Sequence, residues 1–105
     1  MLSESAEDFT RRYKRRSQGY NFEKIVARVS SLLQLEKNYI TGRGRHRDRV
    51  RARDLVCYWS ANELGISMAE LAERFGLTLA AVSYAVRRGE EVANKGGYRL
   101  DNQVI

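Results

Sequence analysis

At 105 residues the chain is long enough for one hydrophobic core and too short for two, since a chain of this size buries roughly 60 to 70% of its unfolded surface. Its 43% apolar and 30% charged residues support a packed core under a solvated surface and exclude wholesale disorder. The net charge of +6 and a pI near 9.8 favour polyanionic partners, nucleic acid first and anionic lipid second. No run of about 18 apolar residues offers a membrane span. The opening residues from Met1 to Phe9 are acidic and do not form a basic leader before an apolar stretch, so a cytoplasmic protein with no membrane partner is expected. Cys57 and His46 are the single cysteine and single histidine. They provide no internal disulfide and no set of soft ligands, so neither a metal nor another cofactor is expected, and Cys57 reads as a small core residue.

Residues 5 to 17 predict a first helix, with Ser5 as N-cap, Glu7 and Asp8 in the first turn and bases at the far end, which complements the helix dipole. Five of the six residues from Arg11 to Arg16 are basic. That run suits a solvated helix or linker better than a second nucleic-acid contact. Gly19 ends it. Phe22, Ile25, Val26, Val29, Leu32 and Leu33 recur at spacings of three and four, which predicts a core-facing helix over 22–33 with Asn21 as N-cap. Thr41 to Arg47 then reads as a loop, because Gly42 and Gly44 free the backbone beside Arg43, Arg45, His46 and Arg47. From about Asp48 to Leu64 the arginines give way to Leu55, Val56, Cys57, Tyr58 and Trp59. A helix apolar on nearly all sides is a buried central element, and Gly65 stops it. Two more helices, about 68–75 and 79–93, precede Gly96, Gly97 and a polar tail. The organisation expected is an N-terminal helix and linker over 1–20, a helical domain over 21–95 and a flexible tail over 96–105.

The most specific pattern lies between Ser67 and Arg88. Ser67 and Glu70 have the spacing of a capping box. Leu71, Ala72 and Phe75 line an inner face, Gly76 allows the positive φ of a tight turn, Leu77 plugs the turn and Thr78 caps the next helix. Val82, Ala85 and Val86 close the pocket. A small residue at 72, glycine four on and a β-branched residue six further is what two helices crossing at roughly 90 to 120° require in a helix-turn-helix. The second helix then presents Thr78, Ala80, Ala81, Ser83, Tyr84, Arg87 and Arg88 as candidate DNA contacts, its N-terminal residues meeting base edges in the major groove. Ala80, Ala81 and Ser83 are small enough for close approach. Ala80 suits a thymine methyl, Ser83 and Tyr84 a base or phosphate, and Arg87 and Arg88 phosphate. Just upstream, residues 43–53 hold six arginines and one histidine against one aspartate. Arg43, Arg45, His46, Arg47, Arg49 and Arg51 are read as one arginine-rich loop that clamps phosphates or enters a narrow minor groove.

The stretch from Arg43 through Glu90 resembles the C-terminal DNA-binding domain of REP-associated tyrosine transposases. It joins the basic loop, Ala52-Arg53-Asp54-Leu55-Val56-Cys57-Tyr58-Trp59, Glu63-Leu64-Gly65 and Ala81-Val82-Ser83-Tyr84-Ala85-Val86-Arg87-Arg88-Gly89-Glu90. More distantly it is similar to the C-terminal domain of the bacterial replication initiator DnaA. The resemblance implies an all-α, Trp-repressor-like helical bundle, Arg43, Arg45, Arg47 and Arg49 on the basic loop, Thr78, Ala81, Ser83 and Tyr84 on the recognition helix, a partnership with a transposase catalytic domain, and a place on the bacterial nucleoid. Where DnaA carries a Gly-Arg-Asp-His-Thr-Thr run, this chain has Gly76-Leu77-Thr78-Leu79-Ala80-Ala81, so recognition of the DnaA box is not implied. The transposase nuclease needs a His-hydrophobic-His metal pair and a tyrosine nucleophile, which one histidine cannot supply.

The expected function is therefore sequence-biased binding of duplex or hairpin DNA by a module with no enzymatic activity. The alternative is an RNA-binding or protein-interaction module on the same basic surface, with Tyr58 and Tyr84 stacking or packing. A hydrolase is disfavoured by the lack of a clustered carboxylate set, a nucleophile motif or a phosphate-cradling loop. Oligomeric state is left open by the sequence.

Overall fold

The computed structural model describes residues 6–100. Among these residues six α-helices follow one another: α1 (Ala6–Ser17), α2 (Phe22–Leu33), α3 (Lys37–Thr41), α4 (Arg47–Leu64), α5 (Met68–Phe75) and α6 (Leu79–Gly96). No strand occurs among the described residues, in agreement with the all-α expectation. The proposed Ser5 cap lies outside the described residues.

Local chemistry sets the boundaries. Asn21 Oδ1 accepts from the Lys24 amide at 2.9 Å, Ser67 Oγ from the Glu70 amide at 3.1 Å and Thr78 Oγ1 from the Ala81 amide at 3.0 Å. Each satisfies an amide that has no partner within its own helix. The Ser67 box is only half formed, because the Glu70 carboxylate accepts from Arg74 Nε at 3.0 Å. Gly65 ends α4 at φ 70°, with its amide donating to Ala61 and Ser60.

α4 is the central element. Ala52, Leu55, Val56, Cys57, Trp59 and Leu64 are buried along it, joined by Ile25, Val26 and Val29 from α2, Ile40 from α3, Leu71 and Phe75 from α5, and Val82, Ala85 and Ala93 from α6. Burial pushes the Cys57 thiol up to about 12, so it behaves as an unreactive core residue. α6 lies directly on α4 at Gly89, where a Cβ would stand 2.1 Å from the Asp54 carbonyl oxygen and 2.6 Å from Tyr58 Cβ. Only a residue without a side chain allows the two backbones to come this close.

Three features differ from the sequence expectation. The one-turn helix α3 forms where no element was foreseen, since five residues carry no readable period. The arginine-rich run is not one loop: α4 begins at Arg47, one residue before the helix start expected at about Asp48, so Arg47, Arg49, Arg51 and Arg53 stand on a helix and only 42–46 remain loop. α6 continues to Gly96, and the segment beyond starts packed instead of flexible. Gly97 caps α6 at φ 65°, the Tyr98 amide donates to Ala93 at 2.9 Å, and Leu100 is buried.

α1 buries no residue and is attached by charge. Arg11 and Arg12 donate to the Asn62 carbonyl, each at 3.3 Å, Arg12 also to the Ala61 carbonyl at 3.3 Å, and Arg16 to the Leu64 carbonyl. Arg15 pairs with Glu63 at 2.7 Å. Arg11, Arg12 and Arg16 thus meet carbonyls of the last turn of α4, where the helix dipole also favours cations. The basic run thus joins α1 to the domain.

Replacing a mid-helix glycine by alanine ordinarily stabilises a helix by about 0.5–1 kcal/mol. Gly89→Ala should do the reverse, costing about 1–3 kcal/mol through overpacking against Asp54 and Tyr58. Thermal unfolding followed by circular dichroism should show a lower midpoint, and a raised one would contradict the close α4–α6 contact.

Candidate nucleic-acid interface

Gly76 stands between α5 and α6 at φ 67°, its amide bonded to the Ala72 carbonyl, and the Leu77 amide donates to the same carbonyl at 2.9 Å. Leu71, Phe75, Val82 and Ala85 are buried behind the turn, with Ala72, Leu77 and Val86 partly buried against them. This unit is held to α2 by the Phe22–Phe75 edge contact, with ring centroids 5.8 Å apart, and by Arg74 over the Phe22 ring at 4.4 Å. Because the inner face of α6 is used this way, Ala80, Tyr84 and Arg87 fall on its outer face, and all are exposed. Leu79 and Tyr84 are each 58% exposed. Arg87 lies over the Tyr84 ring at 5.1 Å. Ser83 and Ala81 are half-buried at the edge of the same face, and Thr78 is exposed at its start with its oxygen engaged as the cap.

The basic loop is shaped by contacts that the sequence alone did not reveal. Tyr39 on α3 donates to Asp48 Oδ1 at 2.6 Å, and the same oxygen accepts from the Arg49 amide at 2.7 Å. The Arg49 guanidinium stacks on the Tyr39 ring at 4.1 Å, donates from Nε to the Tyr39 carbonyl at 2.7 Å and from Nη1 to the Arg43 carbonyl. Arg49 is therefore folded into the loop as its organiser. The Tyr39 hydrogen bond holds the Asp48 carboxyl below the ordinary carboxylate range, and the same bond pushes the Tyr39 hydroxyl up. Asp48, a lone acid in a run of arginines, was the available signal, although nothing marked Tyr39 as its partner.

Arg43 reaches from this loop to the helix-turn-helix, its guanidinium lying over Gly76, where a Cβ would stand 2.9 Å from Nη2. Arg45, His46 and Arg47 are exposed. Among the described residues, Arg43, Arg45, Arg47 and Arg87 have no carboxylate within ion-pair distance, so their charge is uncompensated.

The remaining arginines are sorted by the helix. Residues two apart on an α-helix point roughly 200° apart, which separates Arg47 and Arg51 from Arg49 and Arg53. Arg51 turns toward Tyr98, 3.3 Å from its hydroxyl. Arg88 turns back to α4, where Nε donates to Asp54 Oδ2 at 3.0 Å and Nη2 approaches Oδ1 at 3.5 Å. Burial pushes the Asp54 carboxyl up against the pull of Arg88. This pair flanks Gly89 and fixes the seat of α6 on α4. The structure thus brings Arg43 to the turn from which α6 emerges, leaves Arg45, His46 and Arg47 exposed on the adjoining loop and helix start, and gives Arg49 and Arg88 supporting places. No group of three or more His, Cys, Asp or Glu side chains among the described residues is arranged to hold a metal ion, and no helix there is long and apolar enough to cross a membrane.

A family model described as the bacterial dnaA protein helix-turn-helix matches residues 22–88, from the first residue of α2 into α6. The chain is 23% identical over 82 residues to the chromosomal replication initiator protein DnaA of Pseudothermotoga lettingae, an alignment covering 78% of this chain. The chain spans 18% of the length of that relative. No solved structure matches it.

Arg88→Ala leaves the Asp54 carboxylate buried and unpaired, at a cost of about 3 kcal/mol at neutral pH, the low end for a broken buried pair. Asp54→Asn leaves a half-exposed guanidinium that water can solvate, and should cost less. The Arg88→Ala deficit should shrink on acidification as Asp54 protonates, and equal losses for the two variants in urea titrations across pH would contradict this. At Asp48 the sign is opposite. Its lowered value means the loop contact is present above the ordinary carboxylate range and lost as pH falls through the lowered value. In an NMR titration, Tyr39→Phe should move the Asp48 midpoint upward; an unmoved midpoint would show that Tyr39 does not hold the carboxylate.

Proposed function

The chain belongs to the bacterial DnaA helix-turn-helix family, and on that premise we propose that it is a sequence-biased duplex-DNA-binding module. The observation that carries this is Arg43 lying over Gly76: it ties a loop of uncompensated cations to the turn from which α6 emerges. α6 enters the major groove by its N-terminal half. Thr78 stands at the entry, Ala80 and Ala81 keep the helix close to the bases, Ser83 and Tyr84 reach base edges, and Arg87 reaches phosphate. Arg43, Arg45, His46 and Arg47 sit on phosphates or in the adjacent minor groove. Arg49 and Arg88 do not touch DNA in this scheme; they position the loop and the helix.

The Gly76 to Ala81 segment departs from the DnaA signature, which supports a target other than the DnaA box. The sequence resemblance to the reader domain of REP-associated tyrosine transposases supports a transposase catalytic domain as partner and hairpin-bearing DNA as target. A chromosomal target places the protein on the cytoplasmic nucleoid.

Fluorescence anisotropy with duplex DNA, hairpin DNA and structured RNA over a salt series tests the assignment. DNA should be preferred, and with about four phosphates neutralised, by Arg43, Arg45, Arg47 and Arg87, log K should fall against log salt at a slope of about −4. Arg45→Ala should weaken all duplexes alike and reduce the slope by about 1. Ser83→Ala and Tyr84→Ala should instead reorder the preference among sequences, by about 1–3 kcal/mol at the affected base. Equal or tighter binding of RNA would overturn the assignment and give the surface to RNA.

A further inference from the structure

The DNA-binding scheme leaves the C-terminal half of α6 unused. Here a groove of about 420 Å³ opens between that half and the first half of α4, within the range of pockets that hold ligand groups. Val50 and Val92 contribute apolar walls, and Arg47, Arg51 and Lys95 stand around it, with Glu91 as the one acid not already paired. Arg51 is steadied there by Tyr98, its guanidinium 5.9 Å from the ring centroid. Arg88 and Asp54 close one end and neutralise each other. Lys95 is fifteen residues along α6 from Ala80, roughly 22 Å at 1.5 Å per residue.

We propose that this groove docks a short acidic segment of a partner protein, one that places an apolar side chain against Val50 and Val92 between carboxylates facing Arg51 and Lys95. Charge complementarity selects an anionic occupant, and the valines select one with an apolar group. A DNA backbone satisfies the first condition only. Glu91 opposes either anion by charge, but for a peptide it is also an acceptor for a backbone N–H. The distance from the N-terminal half of α6 lets the partner bind while DNA occupies the other end. The inference is independent of the DNA assignment.

A fluorescein-labelled twelve-residue Asp/Glu peptide with two central leucines, and its leucine-to-serine counterpart, are the probes, with random duplex measured in parallel. The leucine peptide should bind the full chain more tightly than the serine peptide. Lys95→Glu and Val92→Ser should each weaken it about tenfold and leave duplex affinity within about twofold; Lys95, exposed on the helix surface, carries the test if Val92→Ser fails to fold by circular dichroism. No binding, or equal binding of both peptides, would overturn the proposal by reducing the groove to general charge attraction. Loss of duplex affinity as large as the peptide loss in Lys95→Glu would overturn it in favour of phosphate.

Discussion

The contact on which the rest depends is the close approach of α4 and α6 at Gly89. The Asp54 carbonyl and Tyr58 Cβ occupy the space a side chain would need, so the helices can meet there only because residue 89 has none. α4 is the one element that touches α1, α2, α3 and α6. Fixing α6 to it therefore fixes the outer face of α6 relative to everything else. Two consequences follow for the interface. The inner side of α6 is taken up by the core, so Ala80, Tyr84 and Arg87 have to face outward. The N-terminus of α4 carries the basic loop, so seating α6 on α4 also sets where that loop stands beside the turn at Gly76.

A basic chain of this size has more cations than an interface can use, and the fold divides them by task. Those on α1 satisfy carbonyls at the end of α4, an arrangement that uses their positive charge at the negative end of a helix dipole. Arg49 and Arg88 spend their hydrogen bonds inside the protein, on the Tyr39 carbonyl and on Asp54. Arg43, Arg45, Arg47 and Arg87 remain without a carboxylate. Exposed ion pairs contribute little to stability, so leaving these four unpaired costs the fold little while keeping their charge available to phosphate.

Much of this was legible in the sequence where one rule acts alone. The caps at Asn21, Ser67 and Thr78, the stops at Gly65 and Gly76, the stripe on α2 and the all-round apolar run of α4 each follow from local chemistry, and the helix-turn-helix follows from the small, glycine and β-branched residues at 72, 76 and 82. What could not be read is long-range. Arg88 looked like its neighbour Arg87, and only the fold brings it to Asp54, thirty-four positions away. Arg49 looked like Arg47 until the start of α4 turned them to opposite sides. Gly89 sits in a good helical run, where nothing local distinguishes a weakness from a contact surface. The same limit applied to Leu100, whose burial depends on a chain reversal after Gly97.

NMR chemical-shift mapping of the full chain with a hairpin-bearing duplex bears most directly on the assignment of the interface. The amides of residues 43–47 and 78–87 should shift on adding DNA, with α1 and the last turns of α6 largely unmoved. Shifts concentrated on the arginines of α1, or spread evenly over the basic surface, would contradict a recognition face built from the loop and the first half of α6.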